Sequence, residues 1–161
     1  PLTISLWFNA ADSSYLSGVR SSLFSKYSPG SWNGYLMMFS DNSSIPSNGN
    51  VYDYGFGTRP WYLKSNTRRV IGYYGEEPFN QDSTVSNEWY NIVFVVDSTG
   101  GKIYENGQFA YEDPWTGQPG IPTSQYLWQI GGKYNTWFHG KIDDVGVWNK
   151  ALSPQEINIL N

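Results

Sequence analysis

Cysteine is absent from the 161 residues, so no disulfide framework or thiolate metal site underlies the fold, and thiol content says nothing of the compartment. Charge is scarce as well. Lys, Arg, Asp and Glu make up 15% of the chain, and 14 acidic against 10 basic residues leave a net charge of −4. That balance argues against nucleic acid or an anionic membrane as a partner. No apolar run approaches membrane-spanning length. The opening Pro1-Leu2-Thr3 has neither an initiator methionine nor the basic and apolar stretches of a signal peptide, so residues 1–161 read as a single domain excised from a larger protein. A single histidine, His139, limits what imidazole chemistry can be present.

What the sequence has instead is aromatic rings and turns. Phe, Trp and Tyr reach 18%, beside 17 glycines and 9 prolines, a balance that suits an all-β protein and excludes a helical bundle. The length suffices to bury a core without metal or disulfide staples.

Ile4, Leu6 and Phe8 alternate with Thr3, Ser5 and Trp7, as in a sandwich strand with an apolar inner face. Further strands are expected over residues 22–27, 35–39, 51–56, 70–74 and 126–132, with a corner at 57–62. Residues 89–96 are apolar on both faces and lead into a hairpin whose tip is Asn106-Gly107. Segments 40–50, 75–87 and 113–123 are dominated by turn-forming residues and read as long surface loops, and 133–137 as a shorter one. Near the end, Ile142, Asp144, Gly146 and Trp148 alternate with Lys141, Asp143, Val145 and Val147, a strand covered on two sides. Ser153, Pro154 and Glu156 then spell a capping box for a short helix with Ile157 and Leu160 on its apolar edge.

Four of these stretches carry a resemblance: Thr3-Ile4-Ser5-Leu6-Trp7, the central Glu88-Trp89-Tyr90-Asn91-Ile92-Val93-Phe94-Val95-Val96-Asp97, the hairpin from Lys102 to Gln108, and Gly140-Lys141-Ile142-Asp143-Asp144-Val145 running to Trp148 and the Ser153-Pro154 cap. Together they resemble the laminin-G-like, concanavalin A-like lectin/glucanase superfamily of jelly rolls, over nearly the whole chain. The resemblance implies an all-β fold, an antiparallel β-sandwich of jelly-roll type (concanavalin A-like) with one short C-terminal helix. It leaves function open among lectins, glycan-binding modules, adhesion domains and glycan-cleaving enzymes. It also implies a further strand before the first one seen here, and a Ca²⁺ for which Asp143 is the matching acidic ligand.

The tryptophans divide by position. Trp7, Trp89 and Trp148, and with them Trp128, lie on expected strands and are assigned to the core. Trp32, Trp61, Trp115 and Trp137 lie in or beside loops. There each ring either plugs its own loop or waits for a ligand, since the C–H face of a sugar packs on an indole while polar neighbours bond its hydroxyls. Tyr134 joins this group, with Arg59, Asp113 and Asn135 as hydroxyl partners. The cluster Arg59, Lys64, Arg68 and Arg69 offers charge for an anionic polysaccharide, or simply a solvated strand face.

Catalysis finds less support. Glycosidases of this superfamily resemble one another in a Glu-x-Asp-x-Glu strand, and no such triplet occurs; the Gln-x-His arrangement of jelly-roll lyases is missing too. His139 beside Gly140 reads as structural. The expected function is therefore a non-catalytic carbohydrate-binding module that recognises a polysaccharide or glycan, tethered to other domains of a secreted or surface-attached bacterial protein. The alternatives are a protein-interaction or adhesion domain and, behind it, a glycan-cleaving enzyme.

Overall fold

The computed structural model describes residues 1–11, 20–28, 33–40, 57–63, 70–71, 87–114, 126–133 and 136–161; along 33–40, 57–63 and 70–71 it describes the backbone and, of the side chains, Met37. In chain order come β1 (Leu2–Ala10), β2 (Arg20–Ser28), β3 (Asn33–Ser40), β4 (Gly57–Leu63), β5 (Val70–Ile71), β6 (Trp89–Val96), β7 (Gly100–Glu105), β8 (Gln108–Pro114), β9 (Gln129–Ile130), β10 (Gly132–Lys133), β11 (Thr136–Trp137) and β12 (Gly140–Trp148), then helix α1 (Pro154–Ile159). A first five-stranded sheet has the order β12-β1-β6-β7-β8, a second β5-β4-β3-β2-β9, and β10 and β11 form a small separate ribbon. Every described pairing is antiparallel.

The alternation read in β1 is what joins the sheets. Ile4, Leu6 and Phe8 meet Ile92, Phe94, Val96 and Ile103 of the first sheet and Leu23, Phe24 and Met37 of the second in one buried cluster. Each such side chain contributes about 1.5–3 kcal/mol when fully removed from water. β2 places two consecutive residues in this cluster because its register slips between Ser22 and Phe24, a bulge that lets both Leu23 and Phe24 face inward.

The first sheet is also covered on its other face. Val93, Val95 and Tyr104 pack beneath Leu152 and Ile157, with Trp148, Ala151 and Leu160 around them. Helix α1 is too short to persist alone, so this packing and its cap must hold it. Ser153 accepts from the Glu156 N–H, and the Glu156 carboxylate accepts in return from the Ser153 N–H at 2.8 Å, a reciprocal capping box. Lys150 also donates to Glu156. Led by that bond and helped by those from Ser153, the Glu156 carboxyl is lowered to about 2. Thr3, fully buried, ties strand to linker: its Oγ1 donates to Lys150 O at 2.8 Å and accepts from Leu152 N–H at 3.0 Å.

Simple alternation fails in β12. Trp7 pairs with Asp143 and Ser5 with Gly146, so Asp144 and Val145 together oppose Leu6, and Asp144 takes a φ of 46°. This bulge flips the phase. Ile142 and Val145 pack against the inter-sheet core, whereas Trp148 joins the cluster under α1. Trp148 lies on Gly146, where an added Cβ would stand 2.2 Å from its ring.

Other expectations are corrected or fall outside. Residues 57–62 are not a corner but most of β4, where Pro60 pairs with Met37 and β5 reaches only Tyr62 and Leu63. Pro60 thus stands where β4 has one described neighbour, as a strand proline requires. The stretch 126–132 forms strand only at Gln129–Ile130, and 133–137 contributes to the β10–β11 ribbon instead of a plain loop. The strand expected at 51–56 and the loops at 40–50 and 75–87 lie almost wholly outside the described residues, as do 72–74 and 115–123.

Candidate functional site

Short elements at the β2 edge of the second sheet place large rings in water. β9 pairs with Phe24 and Ser25 of β2 and then stops at Gly131, whose φ of 72° suits glycine. Gly131 N–H donates to Leu23 O at 3.0 Å, which ties the β10–β11 ribbon to β2, and Phe138 N–H donates to Gly131 O at 2.9 Å, which closes the base of the ribbon. Within the ribbon Gly132 is the cross-strand partner of Trp137. A Cβ on Gly132 would stand 2.4 Å and 2.6 Å from Cε3 and Cζ3 of the indole, so only glycine admits the ring in this position. Trp137 nevertheless keeps 67% of its surface exposed.

On the other side of the Gly131-Gly132 step, Tyr126, Leu127, Trp128 and Ile130 are exposed in succession. Trp128 is 45% exposed and leans on the buried Phe24, ring centroids 5.0 Å apart and planes at 42°. Lys26, on β2, donates to Tyr126 O at 2.7 Å and holds its ammonium 5.3 Å from the Trp128 ring centre. This is a cation–π arrangement that also fixes the chain entering β9.

The assignment of Trp128 and Trp89 to the core is therefore overturned. Trp89, the first residue of β6 and partner of Asn9, is 42% exposed. Strand position indicated a packed ring, but Trp89 opens β6 and Trp128 stands just before β9. The flanking residues give no dependable sign of this: Trp89 follows the polar Asn87-Glu88, but Trp128 stands between Leu127 and Gln129, directly before the two-residue β9. Trp7 and Trp148 do pack as expected, both half-buried, and Trp7 Nε1 donates to Leu160 O at 3.3 Å.

Of the ligand-binding residues expected from sequence, Trp137 is the one whose side chain is described, and it is exposed. Arg59 and Trp61 lie on β4, where the register sets Trp61, Leu36, Ser25 and Gln129 in one transverse row of the second sheet. Asp113 lies on β8 opposite Gly101, in the other sheet. The side chains of these three fall outside the description, and Trp32, Trp115, Tyr134 and Asn135 lie outside the described residues altogether.

Asp143 does not gather a metal site from what is described. Its Oδ1 accepts from the Asp144 N–H at 2.9 Å, which props the bulge, and among the described residues no group of three acidic, histidine or cysteine side chains converges. Calcium needs six to eight oxygens, so a site at Asp143 would draw on backbone carbonyls or on residues beyond those described. Other carboxylates serve the fold. Burial alone would raise Asp97, but bonds from the Thr99 hydroxyl and from the amides of Thr99 and Gly100, with Lys102 nearby, hold it below its ordinary value and shape the β6–β7 turn.

Comparison with known proteins agrees with this architecture. No curated protein matches the chain. Among solved structures, it superposes on domain 4 of AbnA, an extracellular arabinanase of Geobacillus stearothermophilus in complex with arabinotriose, with a TM-score of 0.65, 19% identity, and coverage of 99% of this chain and 65% of that one. The sialidase CBM40 of Ruminococcus gnavus bound to α2,3-sialyllactose gives 0.65 at 11% identity, covering 99% and 82%. The binding domain of Paraclostridial Mosquitocidal Protein 1 gives 0.64 at 18%, covering 99% and 36%. The chain thus spans 65% of the first of these and about a third of the last. Such identities speak for the fold. The family model described as the concanavalin A-like lectin/glucanases superfamily matches residues 1–158, and the chain, a jelly-roll β-sandwich with a C-terminal helix, belongs to that family.

Proposed function

We propose that this domain is a non-catalytic carbohydrate-binding module, and that Trp137 and Trp128 are the rings on which a saccharide rests. One observation carries the reading: a two-thirds exposed indole is seated against a glycine backbone, in a ribbon closed at its base and tied there to β2. A ring held in place before binding loses little freedom when a sugar covers it, which is what weak, area-limited sugar stacking needs. The solved structures above include domains holding arabinotriose and sialyllactose, which supports glycan as the ligand class. Support for a non-catalytic role comes from the carboxylates Asp97, Asp143 and Glu156, each engaged in a turn, a bulge or a cap. Trp32, Trp61, Trp115, Tyr134, Arg59, Asp113 and Asn135 remain candidates to extend the site. A domain of this kind works as a targeting piece of a larger secreted or surface-attached protein.

The test is a polysaccharide panel read by affinity electrophoresis and calorimetry. Trp137→Ala should weaken retention on whichever polymer binds by about tenfold, while the melting temperature moves by no more than about 2 °C. Failure of the whole panel, or parental affinity in Trp137→Ala, would sink the proposal.

A second reading has one observation in its favour. Leu127 is 82% exposed and Ile130 56%, beside Trp128, which gives this edge an aliphatic component that a protein partner would bury. Leu127→Ser separates the two: a protein-binding surface loses affinity with it, a sugar platform keeps its affinity.

A further inference from the structure

The ring-bearing edge differs from the rest of the molecule in charge. The protein as a whole carries 14 acidic residues against 10 basic, yet residues 114–142 contain no Asp or Glu at all, and they do contain Lys133, Lys141 and the single histidine, His139. Both exposed tryptophans of the edge, Trp128 and Trp137, fall inside that acid-free stretch. Lys26 is brought to the same place from β2. One of its three ammonium N–H groups goes to Tyr126 O, and no carboxylate is within ion-pair distance of it among the described residues. Trp89, exposed elsewhere, has Glu88 as its immediate neighbour.

A carbonyl and a ring face hold the Lys26 ammonium at the rim of the platform without neutralising it. A neutral sugar would gain only a hydroxyl contact there. A sugar bearing a carboxylate would gain a charge-assisted bond at the edge of the ring it stacks on, with no acidic side chain paired to that ammonium among the described residues. We infer that the ligand of this edge is an acidic polysaccharide, a uronate-containing chain, with Lys26 contacting the carboxylate of the unit stacked beside Trp128. This deepens the proposed function and rests on it.

The experiment uses polygalacturonate, alginate and hyaluronan, each beside its methyl-esterified form, which keeps the sugar backbone and removes the charge; arabinan, xylan and galactan serve as neutral polymers. The expected result is binding to at least one acid form, weakened about fivefold or more by esterification and by raising salt from about 50 to 500 mM. Lys26→Gln should reproduce the loss and Lys26→Arg should retain most of the affinity, with melting temperatures recorded so that a folding defect is not read as a binding one. Equal affinity for acid and ester, indifference to salt, or parental affinity in a folded Lys26→Gln overturns the charge inference and leaves glycan binding standing. Binding to neutral polymers alone does the same. Binding to none of the nine polymers overturns both.

Discussion

The first sheet and the β9–β11 edge use the same residue types for opposite ends. In the first sheet, β6 sends Ile92, Phe94 and Val96 to one face and Val93 and Val95 to the other, and both faces are sealed, one by the second sheet and one by α1 with its leading linker. At the edge, Tyr126, Leu127, Trp128, Ile130 and Trp137 are as apolar, yet no layer lies over them among the described residues. Covered apolar surface contributes to stability, and uncovered apolar surface is available to a partner. The contrast therefore predicts that substitutions in the two regions will separate, one set moving stability and the other affinity.

The largest effect should come from removing the lid of the first sheet. Ile157 is fully buried against Val93 and Val95, so Ile157→Ala should cost about 2–4 kcal/mol in urea unfolding and leave glycan affinity unchanged. A loss below about 1 kcal/mol would mean that α1 does not seal that face. Next, Gly132→Ala sharpens the other side of the comparison. The new methyl occupies the place of the Trp137 ring, and the ring, being exposed, can swing away. Affinity should fall several-fold while unfolding free energy changes by under about 1 kcal/mol.

A smaller effect is expected at the cap. Ser153→Ala should cost about 1 kcal/mol. The Glu156 carboxyl is held at about 2 against an ordinary 4.5, so its contribution is complete above pH 4.5 and fades as pH falls toward 2, where the folded form also takes up the proton. Glu156→Gln should therefore flatten the acid limb of a stability-versus-pH curve between those values and leave it unchanged near neutrality in shape. The smallest effect is predicted for calcium. A chelator should move the melting temperature only if oxygens beyond the described residues join Asp143, whose described contact is with its own bulge. A fall of several degrees would show that residues beyond those described complete a calcium site.

Much of the first sheet was legible in the sequence because its signals are local. Alternation in β1, the double-faced run of β6, the Asn106-Gly107 tip and the Ser153 capping box each depend on neighbours within a few residues. The bulge at Asp144 was not legible. One extra residue inverts every side chain after it, and nothing in the alternation of Lys141 to Trp148 marks where that residue sits. Pro60 argued for a corner at 57–62, although a proline is tolerated on a strand where one flank is unpaired. Exposure of single rings was the hardest feature to read. Whether Trp89 or Trp128 is covered depends on where a distant layer ends, a property of the assembled sandwich and not of the flanking residues.

The bulge has a last consequence. Among the described strands β12 is the outermost of the first sheet, and an unmarred ribbon of nine residues there would invite a second molecule to extend the ladder. With Asp144 in a left-handed conformation and two acidic groups at mid-strand, an incoming strand would lose its register halfway along. Copies of this domain brought close together can thus sit side by side without zippering into fibres.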